Sequence, residues 1–304
     1  RNGSPLRFTQ VVAGRYYTAA ITTDGRVAVF GDGLDMESRE FGCLVPRGEI
    51  PRDERVVQLA AGQEHLLMLT DRNNLYALGN GHHGKLGLAS AIAPMPGDES
   101  LSEVERRTVM SLRTSASALV PGKVAVPDPS QVIVQIAAGG NHSAYVTSDG
   151  SLYTWGGCSN GELGLGRFAR TVPQPTRVQL PSASPFALGV SCGKAHTAVL
   201  TTCSRILTFG NSSFKQDGKR HGFWATNAPQ EIFLGDLETH DRDLSIVVCG
   251  GRHTALLDCD GSLFSFGDPM CTGRSLRARS AEHDYIPRLV PLQRMCGLAR
   301  TNSM

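Results

Sequence analysis

The 304-residue chain carries a net charge of +2 with 40% apolar and 19% charged residues, a globular profile that selects no strongly acidic or basic partner. No apolar run approaches the ~20 residues that cross a bilayer as a helix, and no signal-peptide pattern opens the chain. The first residue is Arg1 rather than Met, as expected of an excised segment.

Residues 1–10 read as a polar lead-in, after which one unit recurs five times. Gly14 to Gly31, Gly62 to Gly79, Gly139 to Gly156, Gly193 to Gly210 and Gly250 to Gly267 each place a second glycine seventeen residues after the first. Three residues before the first glycine stands Val11, Leu59, Ile136, Val190 or Val247, and directly before it Ala13, Ala61, Ala138, Cys192 or Cys249. Three residues after it come Tyr17, His65, His142, His196 and His253, followed by a short apolar strand. Asp24-Gly25, Asn73-Asn74, Asp149-Gly150 and Asp260-Gly261 then predict a hairpin turn, with Ser204 the weak member. The returning strand carries an aliphatic residue (Val27, Leu75, Leu152, Ile206, Leu263) and a bulky one (Phe30, Leu78, Trp155, Phe209, Phe266) around small residues. That pattern suits a strand buried on both faces, so each unit must pack between neighbours.

The connecting segments are less regular. Asp32 to Glu40 is acidic, GNGHHGKLGL after Gly79 matches GGCSNGELGLG after Gly156, and successive units start 48, 77, 54 and 57 residues apart. The long interval predicts an insertion over 89–131, with a short helix at Asp98 to Arg113 that aligns Leu101, Val104, Thr108 and Leu112. An excursion of this kind from a rigid repeat is expected to be mobile or partner-binding. Proline-flanked strand signals precede several units, clearest at Pro175 to Pro181. A similar stretch, Ile286 to Leu292, ends the array, either completing the first unit or beginning a further one.

Apparent catalytic motifs fail on context. Gly79 to Gly84 reads G-x-G-x-x-G with Glu99 downstream, yet Lys85-Leu86-Gly87-Leu88 follows where a dinucleotide fingerprint needs a helix. Gly157 to Gly161 reads G-x-S-x-G around Ser159, but the helix of a nucleophile elbow is missing there too, and His82 fills the aligned slot. The four histidines belong to different units and do not form a converging metal set; each is expected to satisfy backbone groups of its own turn. The eight cysteines hold no C-x-x-C pair, and Cys192 and Cys249 alternate with alanine, so they read as buried small groups in a reducing compartment, cytosol or nucleus. The sequons at Asn141 and Asn211 are discounted on that ground, and the arginine-biased residues 270–304 read as a solvated tail.

The stretch AAGGNHSAYVTSDGSLYTWGGCSNGELGLG at 137–166 resembles the repeat of the regulator of chromosome condensation (RCC1-like) family, and similar repeats cover about residues 6–292. The resemblance implies an all-β fold, a seven-bladed propeller of four-stranded antiparallel blades. This chain holds about five blades in one domain over 1–304, either part of that ring or a shorter ring. It further implies a non-enzymatic, cofactor-free protein-interaction scaffold, often attached to a ubiquitin ligase or other larger chain. The alternative is a guanine-nucleotide exchange factor for a Ran-type small GTPase, acting in the cytoplasm or nucleus. Acidic segments Asp32 to Glu40, Asp98 to Glu105 and Gly235 to Asp243 are its candidate exchange loops, and no catalytic, cofactor-binding or metal-ligating residue is expected.

Overall fold

The computed structural model describes residues 7–32, 34, 43–92, 102–211, 213, 225–232, 243–268, 270–272 and 288–289. Five four-stranded antiparallel sheets follow one another, each a meander in chain order. The first blade is β1 (Phe8–Ala13), β2 (Tyr17–Thr22), β3 (Val27–Gly31) and β4 (Cys43–Leu44). The second is β5 (Val56–Ala61), β6 (His65–Thr70), β7 (Leu75–Gly79) and β8 (Ala118–Lys123). The third is β9 (Ile133–Ala138), β10 (His142–Thr147), β11 (Leu152–Cys158) and β12 (Ala169–Arg177). β13 (Ala187–Cys192), β14 (His196–Thr201), β15 (Ile206–Asn211) and β16 (Ala225–Glu231) make the fourth. β17 (Leu244–Cys249), β18 (His253–Asp258), β19 (Leu263–Gly267) and β20 (Arg288–Leu289) make the fifth. The architecture is a β-propeller, with the first strand of every blade lining a central channel.

The two recurrent glycines serve different ends. The second one has φ between 97° and 115° in all five blades, where an L side chain is strained. The first has ordinary φ, but a Cβ there would collide with the Tyr17 or histidine ring of its own blade. The hairpin turn likewise places Gly25, Asn73, Gly150, Ser204 and Gly261 at positive φ.

Packing is sheet on sheet. Strands β6, β10 and β14 are buried at every position. One apolar cluster joins each pair of neighbours: Val29 of the first blade meets Leu78 of the second, and Leu67 of the second meets Trp155 of the third. Val199 and Phe209 share the third interface with Val146, and Phe266 closes the fourth against Leu200.

The leading face of the first blade is different. Val11 is 62% exposed where its four counterparts are 1–6% exposed, and Phe30 is 38% exposed where Leu78, Trp155, Phe209 and Phe266 are all at 0%. On the trailing face of the fifth blade, His253, Ala255 and Leu257 are only half-buried. These two faces therefore do not bury one another.

Three expectations change. The proline-flanked signals are the outer strands of the preceding blade: Arg177 of β12 pairs with Tyr153 of β11. Arg288–Leu289 likewise pairs with Phe264 and Ser265 of its own blade and neither completes the first unit nor starts another. The long interval 89–131 is not all insertion, because it contains β8, with Pro121 on an outer strand where no further sheet neighbour needs its missing N–H. What remains includes a helical turn, α1 (Ala89–Ile92), and α2 (Glu103–Thr114). A capping box between Ser102 and Glu105 starts α2 later than the apolar spacing suggested. Val104, Thr108 and Leu112 do share a side, which faces solvent rather than the core; Leu101 lies outside the described residues.

Candidate functional site: the axial mouth

The expected catalytic lures are accounted for by backbone geometry. After β7 comes a three-residue 3₁₀ turn at His82–Gly84, and the segment re-enters the sheet region through a Leu88–Val124 bridge. α1 begins only at Ala89, so the glycines of GNGHHG open no helix, and Glu99 lies outside the described residues. After Cys158 a turn, not a helix, carries Ser159. Among the described residues no group of three His, Cys, Asp or Glu side chains is placed to hold a metal ion.

The histidines correct their expected role. Three of the four do not serve their own turns; Nε2 crosses to the next blade. His65 reaches Ser143 Oγ at 2.9 Å, His142 reaches Thr197 Oγ1 at 2.8 Å, and His196 reaches Thr254 Oγ1 at 3.0 Å. Tyr17 makes the corresponding link with a hydroxyl, donating to the carbonyl oxygens of His65 at 2.6 Å and Gly62 at 3.2 Å. Burial holds the imidazoles neutral: His65 lies well below the usual histidine range, His142 falls to about 4 and His196 to about 3. Such groups are seams between sheets and are shut off from any substrate.

A second set of seam residues escaped notice in the sequence, although they recur four residues before the first glycine. Gln10 accepts from Leu59 N and donates to its carbonyl, Gln135 does the same with Val190, and Gln58 accepts from Ile136 N. The signal was a polar residue in an otherwise apolar strand, repeated at one offset. A bulge in each first strand sets the local register beside these residues.

What the ring leaves free lies at its axis. The turns between first and second strands are stitched together by Arg15 N to Gln63 O at 3.1 Å, Gln63 N to Gly139 O at 3.0 Å and Gly140 N to Gly193 O at 3.0 Å. They surround a cavity of about 250 Å³ lined by residues of all five blades, with Ala13, Ala61, Ala138, Cys192 and Cys249 forming its wall. Arg15 and Lys194 stand on its lining. The Arg15 guanidinium lies 4.8 Å above the exposed Tyr16 ring and 3.8 Å from Glu64.

Behind this rim two charged side chains are buried at equivalent positions of successive blades: Lys85, 1% exposed, and Glu162, 4% exposed. Among the described residues, Lys85 Nζ has only long partners, Glu64 at 3.9 Å and Asn141 Oδ1 at 3.4 Å. Glu162 accepts from Asn160 N at 2.7 Å. Desolvation lowers the Lys85 pKa against the pull of Glu64, and raises that of Glu162.

Five tandem blades of this register, with glycine turns at the axis, have direct counterparts. Family models described as the regulator of chromosome condensation (RCC1) repeat match residues 149–200 and 133–162. The chain carries RCC1-like repeats. Human regulator of chromosome condensation is 28% identical over 305 residues, covering 83% of this chain and 70% of its own length. The human probable E3 ubiquitin-protein ligase HERC6 is 26% identical over 88% of this chain, and the dog X-linked retinitis pigmentosa GTPase regulator 27% identical over 95%. This RCC1-like chain spans 24% and 31% of those two longer proteins. Among solved structures, human WBSCR16 superposes with a TM-score of 0.74 at 19% identity, covering 96% of this chain and 68% of that one. Yeast RCC1 (Prp20) bound to Kap60 superposes at 0.68 and 19% identity, covering 94% and 61%. These likenesses fix the fold.

Two of these relatives are named as regulators, and HERC6 is named as a probable ubiquitin-protein ligase. No described helix is long and apolar enough to cross a membrane. The acidic segments fall largely outside the described residues: Asp32, Leu34, Ser102 to Glu105 and Asp243 are described, the rest are not. The basic stretch 270–304 is described only at 270–272 and 288–289.

Proposed function

We propose that this chain is a non-catalytic protein-interaction scaffold, a propeller module of a larger regulatory or ubiquitin-ligase-type protein of the cytoplasm or nucleus. One observation carries the reading: three of the four recurrent histidines, the side chains best suited to acid–base or metal chemistry, are consumed in blade-to-blade contacts, whereas charge and an exposed aromatic gather at the axial turns. Function on such a frame belongs to surfaces mounted on rigid sheets. The outward side of α2, with Val104 and Leu112, offers a second surface for a partner. Capture of partners by the intact chain, compared with Tyr16→Ala at the mouth and Leu112→Asp on α2, tests the reading. Loss of a specific partner with either variant supports it; no partner above background with the intact chain overturns it.

A second reading, nucleotide exchange on a Ran-type GTPase, draws support from relatives named as GTPase regulators and from a solved yeast homologue described by its binding to Gsp1p and histones. Exchange breaks no covalent bond and requires only that loops displace phosphate and magnesium. Nucleotide release from a panel of purified small GTPases decides it: acceleration of one supports exchange, and no acceleration of any sinks it while leaving the scaffold reading in place.

A further inference from the structure

Of the fifteen residues lining the axial cavity, two carry formal charge, Arg15 and Lys194, and both are positive. This is a local excess on a chain whose whole balance is only +2. Neither cation is neutralised within the lining. Arg15 meets Glu64 only at 3.8 Å, and that carboxylate also faces Lys85 at 3.9 Å. Lys194 is exposed and makes no ion pair among the described residues.

The backbone reinforces the sign. Carbonyl oxygens that would otherwise make the mouth attractive to cations, those of Gln63, Gly139 and Gly193, each accept an N–H from the preceding blade. Size narrows the guest. About 250 Å³ is below the ~300 Å³ at which drug-sized ligand sites begin, and the glycine, alanine and cysteine lining presents little side-chain bulk. A single extended side chain fits this volume.

We infer that the axial mouth, resting on the scaffold reading above, seats an acidic side chain from a partner protein, its carboxylate drawn by the two cations that stand on the lining, Arg15 and Lys194. A guanidinium offers paired donors to a carboxylate, and the lysine adds a mobile point charge. The aliphatic part of the inserted chain lies against the Ala and Cys wall, and the Tyr16 face beside Arg15 contacts the flanking peptide.

Fluorescence anisotropy with a labelled hexaglutamate peptide tests this, using the full chain and circular dichroism to verify that each variant is folded. The double variant Arg15→Glu, Lys194→Glu is expected to weaken binding at least tenfold. Arg72→Glu removes a cation at the far end of β6, where Arg72 pairs with Asp53, and is expected to change it less than twofold. Raising salt from 50 to 300 mM is expected to weaken binding, since the cations are solvent-accessible (roughly a Debye-length effect). Three results overturn the inference: no peptide binding, equal loss with Arg72→Glu, or full competition by free acetate at matched carboxylate concentration. A natural partner that still binds the double variant likewise overturns it and leaves the scaffold reading intact.

Discussion

His142 of the third blade lies 2.8 Å from Thr197 Oγ1 of the fourth, while that same hydroxyl donates to the Glu162 carbonyl at 2.7 Å. Thr197 has one hydrogen and has spent it on the carbonyl, so the imidazole must be the donor, through Nε2–H. Nδ1 is then a bare lone pair, and it is buried without a partner. His65, Ser143 and the Lys85 carbonyl repeat the relay at 2.9 and 2.8 Å. Two blades, and the loop that follows the third strand of the earlier one, are thus tied by one hydroxyl.

Removing that hydroxyl leaves a buried donor and a buried acceptor unmatched. Thr197→Val is therefore expected to cost about 2–4 kcal/mol. Thr18, at the same offset on the uncovered first blade, is only half-buried, and Thr18→Val is expected to cost less than about 0.5 kcal/mol. Urea denaturation of the two variants checks the contrast.

Acid should open the same seams. The folded-state pKa values of His142 and His196, about 4 and about 3, lie below the ordinary unfolded value near 6.5. The unfolded chain therefore binds more protons as pH falls, and the neutral buried form contributes fully only above about pH 6.5. Stability is expected to decline from there towards pH 4 to 3, with roughly 3 kcal/mol at stake per buried imidazole. Denaturation midpoints measured from pH 7.5 to 4 check this, and His142→Gln should flatten the slope.

The uneven exposure of equivalent aromatics gives a third test. Phe209→Ala empties a fully buried interblade position and is expected to cost about 3–5 kcal/mol. Phe30→Ala, at the same offset of the open leading face, is expected to cost about 1 kcal/mol. Equal losses would mean that something buries Phe30 in solution.

Lys85 tests the value of a buried cation with only long partners. Lys85→Met keeps the aliphatic stem and removes a charge whose desolvation is poorly offset, so stability should be unchanged or higher by about 1 kcal/mol. Thermal unfolding of the variant checks it; a loss above 2 kcal/mol would show that the Glu64 and Asn141 contacts outweigh the desolvation.

The spacing of residues by itself determined the five units, their hairpin turns and the double burial of their middle strands, because positive φ, small residues and bulky apolar ones are local demands written once per repeat. Only the tertiary structure decided what the polar repeats are for. His142 and Gln135 bond to Thr197 and Val190 in the next sheet, and no local pattern encodes a partner 55 residues away. It also decided that Pro175 to Arg177 and Arg288–Leu289 are outer strands of the blade behind them, since which edge a strand joins depends on the free backbone already present there. The gathering of Arg15 and Lys194 at one mouth follows from five turns curving around an axis, a property of the array and of no single unit.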